Sequence, residues 1–336
     1  MKKSIVQKLV LDPILTDKEI ISKEGCYFPE THYKHIIKSN TDVYGIQPDG
    51  TKSLLLKFRK NVIPQTICTI AFNALEAHSK HKNYNRGAAA GKLNPHKLPK
   101  YVGKITKRES FRVFYKSHNG QKTKDNIGNM AMSNIAGYYD KPDRNAYTIH
   151  NTRTIKHKIK KTSKKNIRKP GYDFHDNPLC RTTQFTKEHI DKWANTIPLI
   201  QYADRLFKSL VPDRHAVQLT RARKTPQYQI NGTAYSTITL NYDWRTACHK
   251  DKGDLEEGFG NLIVLEKAKS GFPDCSGYTG GYLGFPRWGV AVDVRQGDFL
   301  AMDVHEWHCN TPIQGTGRLS VVAYLRRGMI KCSSSK

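Results

Sequence analysis

Residues 318–326 read R-L-S-V-V-A-Y-L-R, a run in which side-chain character changes with period two. On an extended strand Arg318, Ser320 and Val322 point to one face, and Leu319, Val321 and Ala323 to the other. The apolar set asks for a packed layer behind it. The opposite set puts a guanidinium and a hydroxyl inside a barrel, which is costly unless they bind something. A 2-oxoacid with a distal carboxylate suits them, because an arginine grips a carboxylate through two parallel hydrogen bonds and a serine adds another. The run therefore predicts a strand that lines a barrel with a ligand inside.

Two imidazoles and a carboxylate precede it. His249 and Asp251 sit in T-I-T-L-N-Y-D-W-R-T-A-C-H-K-D-K-G-D, shortly after the β-branched and aromatic stretch 236–242. Residues i and i+2 share a face on a strand. His308 follows two strand-like runs, 289–294 and 298–304, and the chain then turns at Asn310-Thr311-Pro312. Two histidines and one aspartate can occupy one face of an octahedral Fe(II) and leave three positions open. The H-x-D pattern is weak alone. His189 and Asp191 also match it, but T-K-E-H-I-D-K-W-A reads as a helix, where i and i+2 point apart. His305 is a rival for the second imidazole; His308, ten residues before Arg318, fits the spacing better.

The formal net charge is +27. An excess of that size repels itself unless a counter-charge is present, and nucleic acid is the commonest polyanionic partner. A solvated basic surface is the plainer alternative. Basic residues interleave with Tyr84 and Tyr101 over 80–107, where Gly87 and Gly91 leave room for backbone amides to approach a phosphate. A second basic run, 151–169, contains no acid and reads as a flexible insertion or a linker. Seven cysteines without a C-x-x-C pair suggest a reduced, intracellular setting, compatible with a nucleus or a viral or host DNA compartment. No apolar run reaches membrane-spanning length, no signal peptide opens the chain, and no obligate protein partner is implied.

The H-K-D segment, G-G-Y-L-G-F-P at 280–286 and the H-C-N-T-P…R-L-S ending together resemble the Fe(II)/2-oxoglutarate dioxygenases, and more narrowly their TET/JBP branch. The likeness covers roughly residues 170–330. Asn85-Arg86-Gly87-Ala88-Ala89-Ala90-Gly91 is similar to the N-terminal part of some JBP-like proteins. The resemblance implies an α+β chain with a double-stranded β-helix (jelly-roll) core, flanking helices and a basic N-terminal extension. Its expected divisions are a basic N-terminal region 1–150, a linker or insertion 151–170, the dioxygenase domain 171–330 and a tail 331–336. It implies Fe(II) on His249, Asp251 and His308, 2-oxoglutarate on Arg318, and dioxygen as co-reactant. Ser320, Asn241 and Arg245 would steady the ligands or the oxoacid, while Asp254 and Asn310 would touch the substrate. Phe285 and Trp288 suit a buried aromatic core better than a stacking platform. The implied reaction hydroxylates the 5-methyl group of thymine or 5-methylcytosine in nucleic acid, most simply DNA. Two other readings remain: a prolyl or lysyl side-chain hydroxylase, and a catalytically silent nucleic-acid binder on the same scaffold.

Local patterns add a strand at 53–58 and a helix over 65–80 with Ile67, Ile70, Ala71, Ala74 and Leu75 on its buried face. They predict two helices, 187–195 and 198–210, separated before Pro198, and strands at 217–220 and 227–230.

Overall fold

The structure, a computed structural model, describes residues 5–117, 125–140, 180–269 and 272–332. The expected linker 151–170 and its basic run lie outside the described residues. Twenty strands, β1–β20 in chain order, and five α-helices, beginning with α1 (Asp17–Ser22), make up the regular structure among the described residues. A nine-stranded sheet runs β1 (Gln7–Leu11), β3 (Thr41–Ile46), β4 (Lys52–Arg59), β17 (Phe299–Met302), β11 (Gly260–Glu266), β20 (Arg318–Tyr324), β10 (Thr237–Tyr242), β8 (Ser133–Tyr139), β9 (Arg181–Thr182). A four-stranded sheet runs β18 (Cys309–Asn310), β15 (Leu283–Phe285), β16 (Val290–Val292), β2 (His35–Ile37). Their inner faces share one core, with Leu56, Phe58, Leu262 and Leu300 meeting Leu283, Phe285, Val290 and Val292. This is the double-stranded β-helix.

The period-two reading of residues 318–324 holds. Leu319, Val321 and Ala323 pack behind the large sheet with α2 (Gln65–Ser79) and α4 (Ile190–Leu210), contributing Leu75, Leu199, Ile200 and Phe207 among others. Burying one such leucine or isoleucine fully is worth about 1.5–3 kcal/mol. Arg318 and Ser320 point the other way, into the barrel. Phe285 and Trp288 are core residues, 0% and 1% exposed.

Several expectations change. Helix α2 buries Cys68, Ala71, Phe72, Ala74 and Leu75, leaving Ile70 50% exposed. The apolar face is rotated because Cys68 and Phe72 belong to it. Pro198 does not divide a helix. α3 (Gln184–Glu188) is short, and α4 runs unbroken through Pro198, its missing N–H outweighed by the buried stripe Ile197, Leu199, Ile200, Ala203 and Phe207. Residues 217–220 are helical, within α5 (Pro212–Ala222), because Pro212 takes a first-turn position where no N–H is needed. Pro226–Tyr228 forms a single 3-10 turn instead of a strand.

The division at 150/171 does not follow the sheets. β4 pairs with β17, β2 pairs with β16, and α2 packs on β10, β11 and β20. The first 80 residues thus complete the barrel and do not form a separate extension. Cys180 and Cys332 are joined as a disulfide across 152 residues, so the chain does not carry seven free thiols. Cys26, Cys68, Cys248 and Cys309 are free.

Candidate active site

Strand β10 ends at Tyr242, and the next residue, Asp243, turns the backbone through φ 43°. The Asp243 carboxylate accepts from the Gly317 N–H at 2.9 Å, the Arg318 N–H at 2.8 Å and the Thr316 hydroxyl. That clasp fixes the start of β20 beside the end of β10. The chain then runs between two supports. Ala247 N–H donates to Ala89 O at 2.9 Å, and Cys248 N–H donates to Cys26 O at 2.8 Å. On the other side His249 and His308 form an antiparallel bridge, exchanging backbone bonds of 3.1 and 3.0 Å.

The bridge brings the two rings to 4.4 Å between centroids. His249 Nδ1 lies 2.8 Å from Ala247 O, and His308 Nδ1 lies 2.9 Å from Glu306 O. A carbonyl oxygen only accepts, so in the neutral form of each ring Nδ1 carries the proton and Nε2 keeps its lone pair. Burial opposes charge on His249, but the Asp251 carboxylate beside Nε2 outweighs it and raises that ring's pKa. His249 Nε2 is 3.5 Å from one oxygen of Asp251, and His308 Nε2 is 3.7 Å from the other. One ligand atom from each of the three residues falls within 4.8 Å of the others. Burial, then the neighbouring His249, holds the His308 ring down to about 4, in the neutral form a metal ligand needs. Burial opposes charge on Asp251, but His249, His308 and Arg86 override it and hold the carboxyl below its usual range. Two neutral-capable imidazoles and one carboxylate with open space beyond them fit a facial metal site.

The open space is a cavity of about 430 Å³ lined by the three residues together with Arg318, Ser320, Asn241 and Asp254. Arg318 is 1% exposed, and its Nε and Nη1 have no hydrogen-bond partner. Gly281, at φ 70°, leaves it room, since a Cβ there would stand 2.9 Å from Nε. Buried donors left unpaired are rare and expensive, and these two await an acceptor. Ser320 Oγ accepts from Asn241 Nδ2 at 3.3 Å, and Asn241 Oδ1 accepts from the Ser133 hydroxyl. Asp254 is 9% exposed; burial first, then the Asp251 charge, pushes its carboxyl well above the usual range.

Two expected residues are placed otherwise. Arg245 donates to Asn310 O at 3.1 Å and to Phe28 O at 2.6 Å, and stacks 4.8 Å from the Tyr27 ring. It braces the wall and does not line the cavity. Asn310 lines the cavity, yet its amide is engaged. Its Oδ1 accepts from the Thr246 hydroxyl at 2.7 Å and its Nδ2 donates to Gly281 O and Tyr282 O. His305 stands 3.5 Å from Asp303, outside the cavity lining, so the rival imidazole is not a ligand candidate. Gly91 is explained by packing, its φ of 82° and missing Cβ admitting the Tyr27 hydroxyl.

Sequence reasoning missed Arg86. It enters the cavity from the segment after α2, held by a bond from Nε to Ser133 O at 3.1 Å. The signal was the quoted Asn85-Arg86-Gly87, but nothing in the sequence links it to Asp251.

Residues 170–327 match the Tet_JBP family model, the oxygenase domain of the 2OGFeDO superfamily. This stretch is a TET/JBP-like Fe(II)/2-oxoglutarate oxygenase domain. Thymine dioxygenase JBP1 of Trypanosoma brucei brucei is 32% identical to the chain over 167 residues, 47% of this chain and 19% of that protein. The bifunctional helicase and thymine dioxygenase JBP2 of Leishmania infantum is 34% identical over 188 residues, 50% of this chain and 16% of that protein. The chain thus spans less than a fifth of the length of these curated relatives. A solved structure of NgTET1 in complex with 5mC DNA aligns with 100% of this chain and 85% of its own, at a TM-score of 0.47 and 12% identity. Within the TET/JBP-like domain the family match and the facial cluster fall on the same residues, and the superfamily's cofactors are Fe(II), 2-oxoglutarate and dioxygen. No helix among the described residues is long and apolar enough to cross a membrane.

Proposed function

We propose that the protein hydroxylates the 5-methyl group of thymine in DNA. His249, Asp251 and His308 hold Fe(II), and Arg318 with Ser320 binds the far carboxylate of 2-oxoglutarate. The metal, the oxoacid and dioxygen together supply the oxidising chemistry when bound, and the chain supplies position and exclusion of water. The observation that carries this reading is Arg318, a buried guanidinium with two unpaired donors in the same cavity as the metal cluster. Thymine is favoured because both named relatives are thymine dioxygenases.

The cavity lies inside the barrel, so a base in a duplex must leave its stack to reach it. Asp254, whose carboxyl pKa is pushed up by burial and the Asp251 charge, offers in its protonated form one O–H donor and one carbonyl acceptor. That pair complements the O4 acceptor and the N3–H donor of thymine. Arg86 and the net charge of +27 favour a polyanionic substrate over a peptide. Asn310 supports the reading indirectly, by locking Thr246 to the Gly281 loop that frames Arg318.

Succinate release tests it. With Fe(II) and 2-oxoglutarate present, thymine-containing duplex should stimulate succinate formation, and prolyl or lysyl peptides should not. Stimulation by peptide alone would move the substrate to protein, and no turnover with either would favour a silent binder.

A further inference from the structure

Between α2 and β8 the chain builds a second layer that the barrel does not need. β5 (Val102–Arg108), β6 (Val113–Ser117) and β7 (Asp125–Ile127) form a three-stranded antiparallel sheet paired with no other strand among the described residues. Its inner face has its own small core of Val113, Tyr115 and Ile127, packed by Leu93, Leu98, Val102 and Ile105 among others. Its outer face carries Lys104, Lys107 and Lys116 around the half-buried Phe114, with Lys107 Nζ 5.5 Å and Arg112 Cζ 5.1 Å from the ring centre.

The charge here is one-sided. Residues 92–116 hold eight lysines and arginines and one acid, Glu109. Glu109 is bonded to Lys107 at 2.8 Å and Arg112 at 2.6 Å. Lys92, Lys97, Lys100, Lys104, Arg108 and Lys116 are exposed. Such a cluster is self-repelling without an external anion. The seven-residue β5 reaches about 23 Å, close to seven phosphate steps of one DNA strand at about 3.4 Å each.

The sheet is also anchored at the cavity. The β5–β6 hairpin turns at residues 109–112, where Glu109 N–H donates to Arg112 O at 2.8 Å. The tip is pinned by Leu93 N–H to Ser110 O at 2.8 Å. Phe111, on that tip, lines the mouth beside Asn85 and Arg86. We infer that this sheet is a second nucleic-acid contact surface: the phosphate backbone beside the target base lies along its outer face, and Phe111 stands at the rim where the base enters. The inference rests on the nucleic-acid reading of the active site and adds where the duplex is held.

The test is a titration of the full chain with a fluorescent thymine-containing duplex over a series of salt concentrations. The sheet variant is Lys104→Glu/Lys107→Glu/Lys116→Glu, all three on the outer face with Phe114. The control is Lys187→Glu/Lys192→Glu/Lys208→Glu, exposed lysines on α3 and α4 across the large sheet from the cavity. Both variants change net charge equally, so a difference between them reports location. Thermal shift by 2-oxoglutarate, retained in both, confirms that each is folded. The sheet variant should lose at least ~10-fold in affinity, and its salt slope should fall by about 3, at ~0.9 for each phosphate no longer neutralised. The control should keep the native slope. Equal affinity decreases in the two variants, or an unchanged slope in the sheet variant, would overturn the inference while native binding still supported the substrate reading. Failure of the native chain to bind the duplex would instead overturn the nucleic-acid reading itself.

Discussion

Arg318 is the residue whose environment asks most plainly for a ligand. Two of its donors are buried and unpaired. Arg318→Met should therefore raise the Kd for 2-oxoglutarate by at least ~10-fold, since charge-assisted hydrogen bonds are worth about 1.5–3 kcal/mol each. The same change should leave the unliganded protein as stable as the native chain or slightly more so, because it removes a buried cation with two unpaired donors. Melting curves with and without 2-oxoglutarate check both halves; a large loss of stability without the oxoacid would show that Arg318 has a structural role instead. Asp254→Asn keeps a donor and an acceptor at the base edge and should retain part of the activity on DNA, whereas Asp254→Ala should lose most of it through KM for the duplex. Equal activity of the two variants would remove Asp254 from substrate recognition. At this scale the alternation of β20 made Arg318 and Ser320 legible, and the strand ahead of H-K-D made His249 and Asp251 legible. Arg245 was not, because the Asp243 turn at φ 43° re-aims the chain and strand periodicity ends there. Arg86 was not, because its partners are more than 40 residues away, Ser133 among them.

Elements show what holds that site in place. Gly45 on β3 lies against Trp288, and a Cβ there would stand 2.6–2.8 Å from three ring atoms. Gly45→Ala should cost about 1–3 kcal/mol, the usual penalty for overpacking, read as a lower midpoint in denaturant with the m-value unchanged. A neutral effect would show that Trp288 can shift without loss. The elements that differ from their sequence patterns do so for two reasons. Pro198 and Pro212 both look like breakers, but one lies on a helix with a strongly buried stripe and the other occupies a first turn. Local propensity is overruled by packing in the first case and by position within the helix in the second.

For the whole molecule, the family match begins at residue 170, but the barrel does not. β2, β3 and β4 and helix α2 from the first 80 residues supply sheet partners and much of the packing behind the sheet. A fragment of residues 170–336 should accordingly fail to fold, seen as loss of cooperative melting and rapid proteolysis; a fragment that melts cooperatively and binds 2-oxoglutarate would show that the N-terminal strands are dispensable. The pairings of β4 with β17 and of β2 with β16 were hidden in the sequence because the partners lie over 200 residues apart. The central claim is that one cavity oxidises a thymine methyl group with a single iron and an oxoacid. Mass spectrometry of the nucleosides released from thymine-containing duplex tests it most directly. The account predicts 5-hydroxymethyldeoxyuridine that requires both Fe(II) and 2-oxoglutarate and disappears in Asp251→Ala. Unaltered thymidine under those conditions, or product that persists in Asp251→Ala, would contradict it.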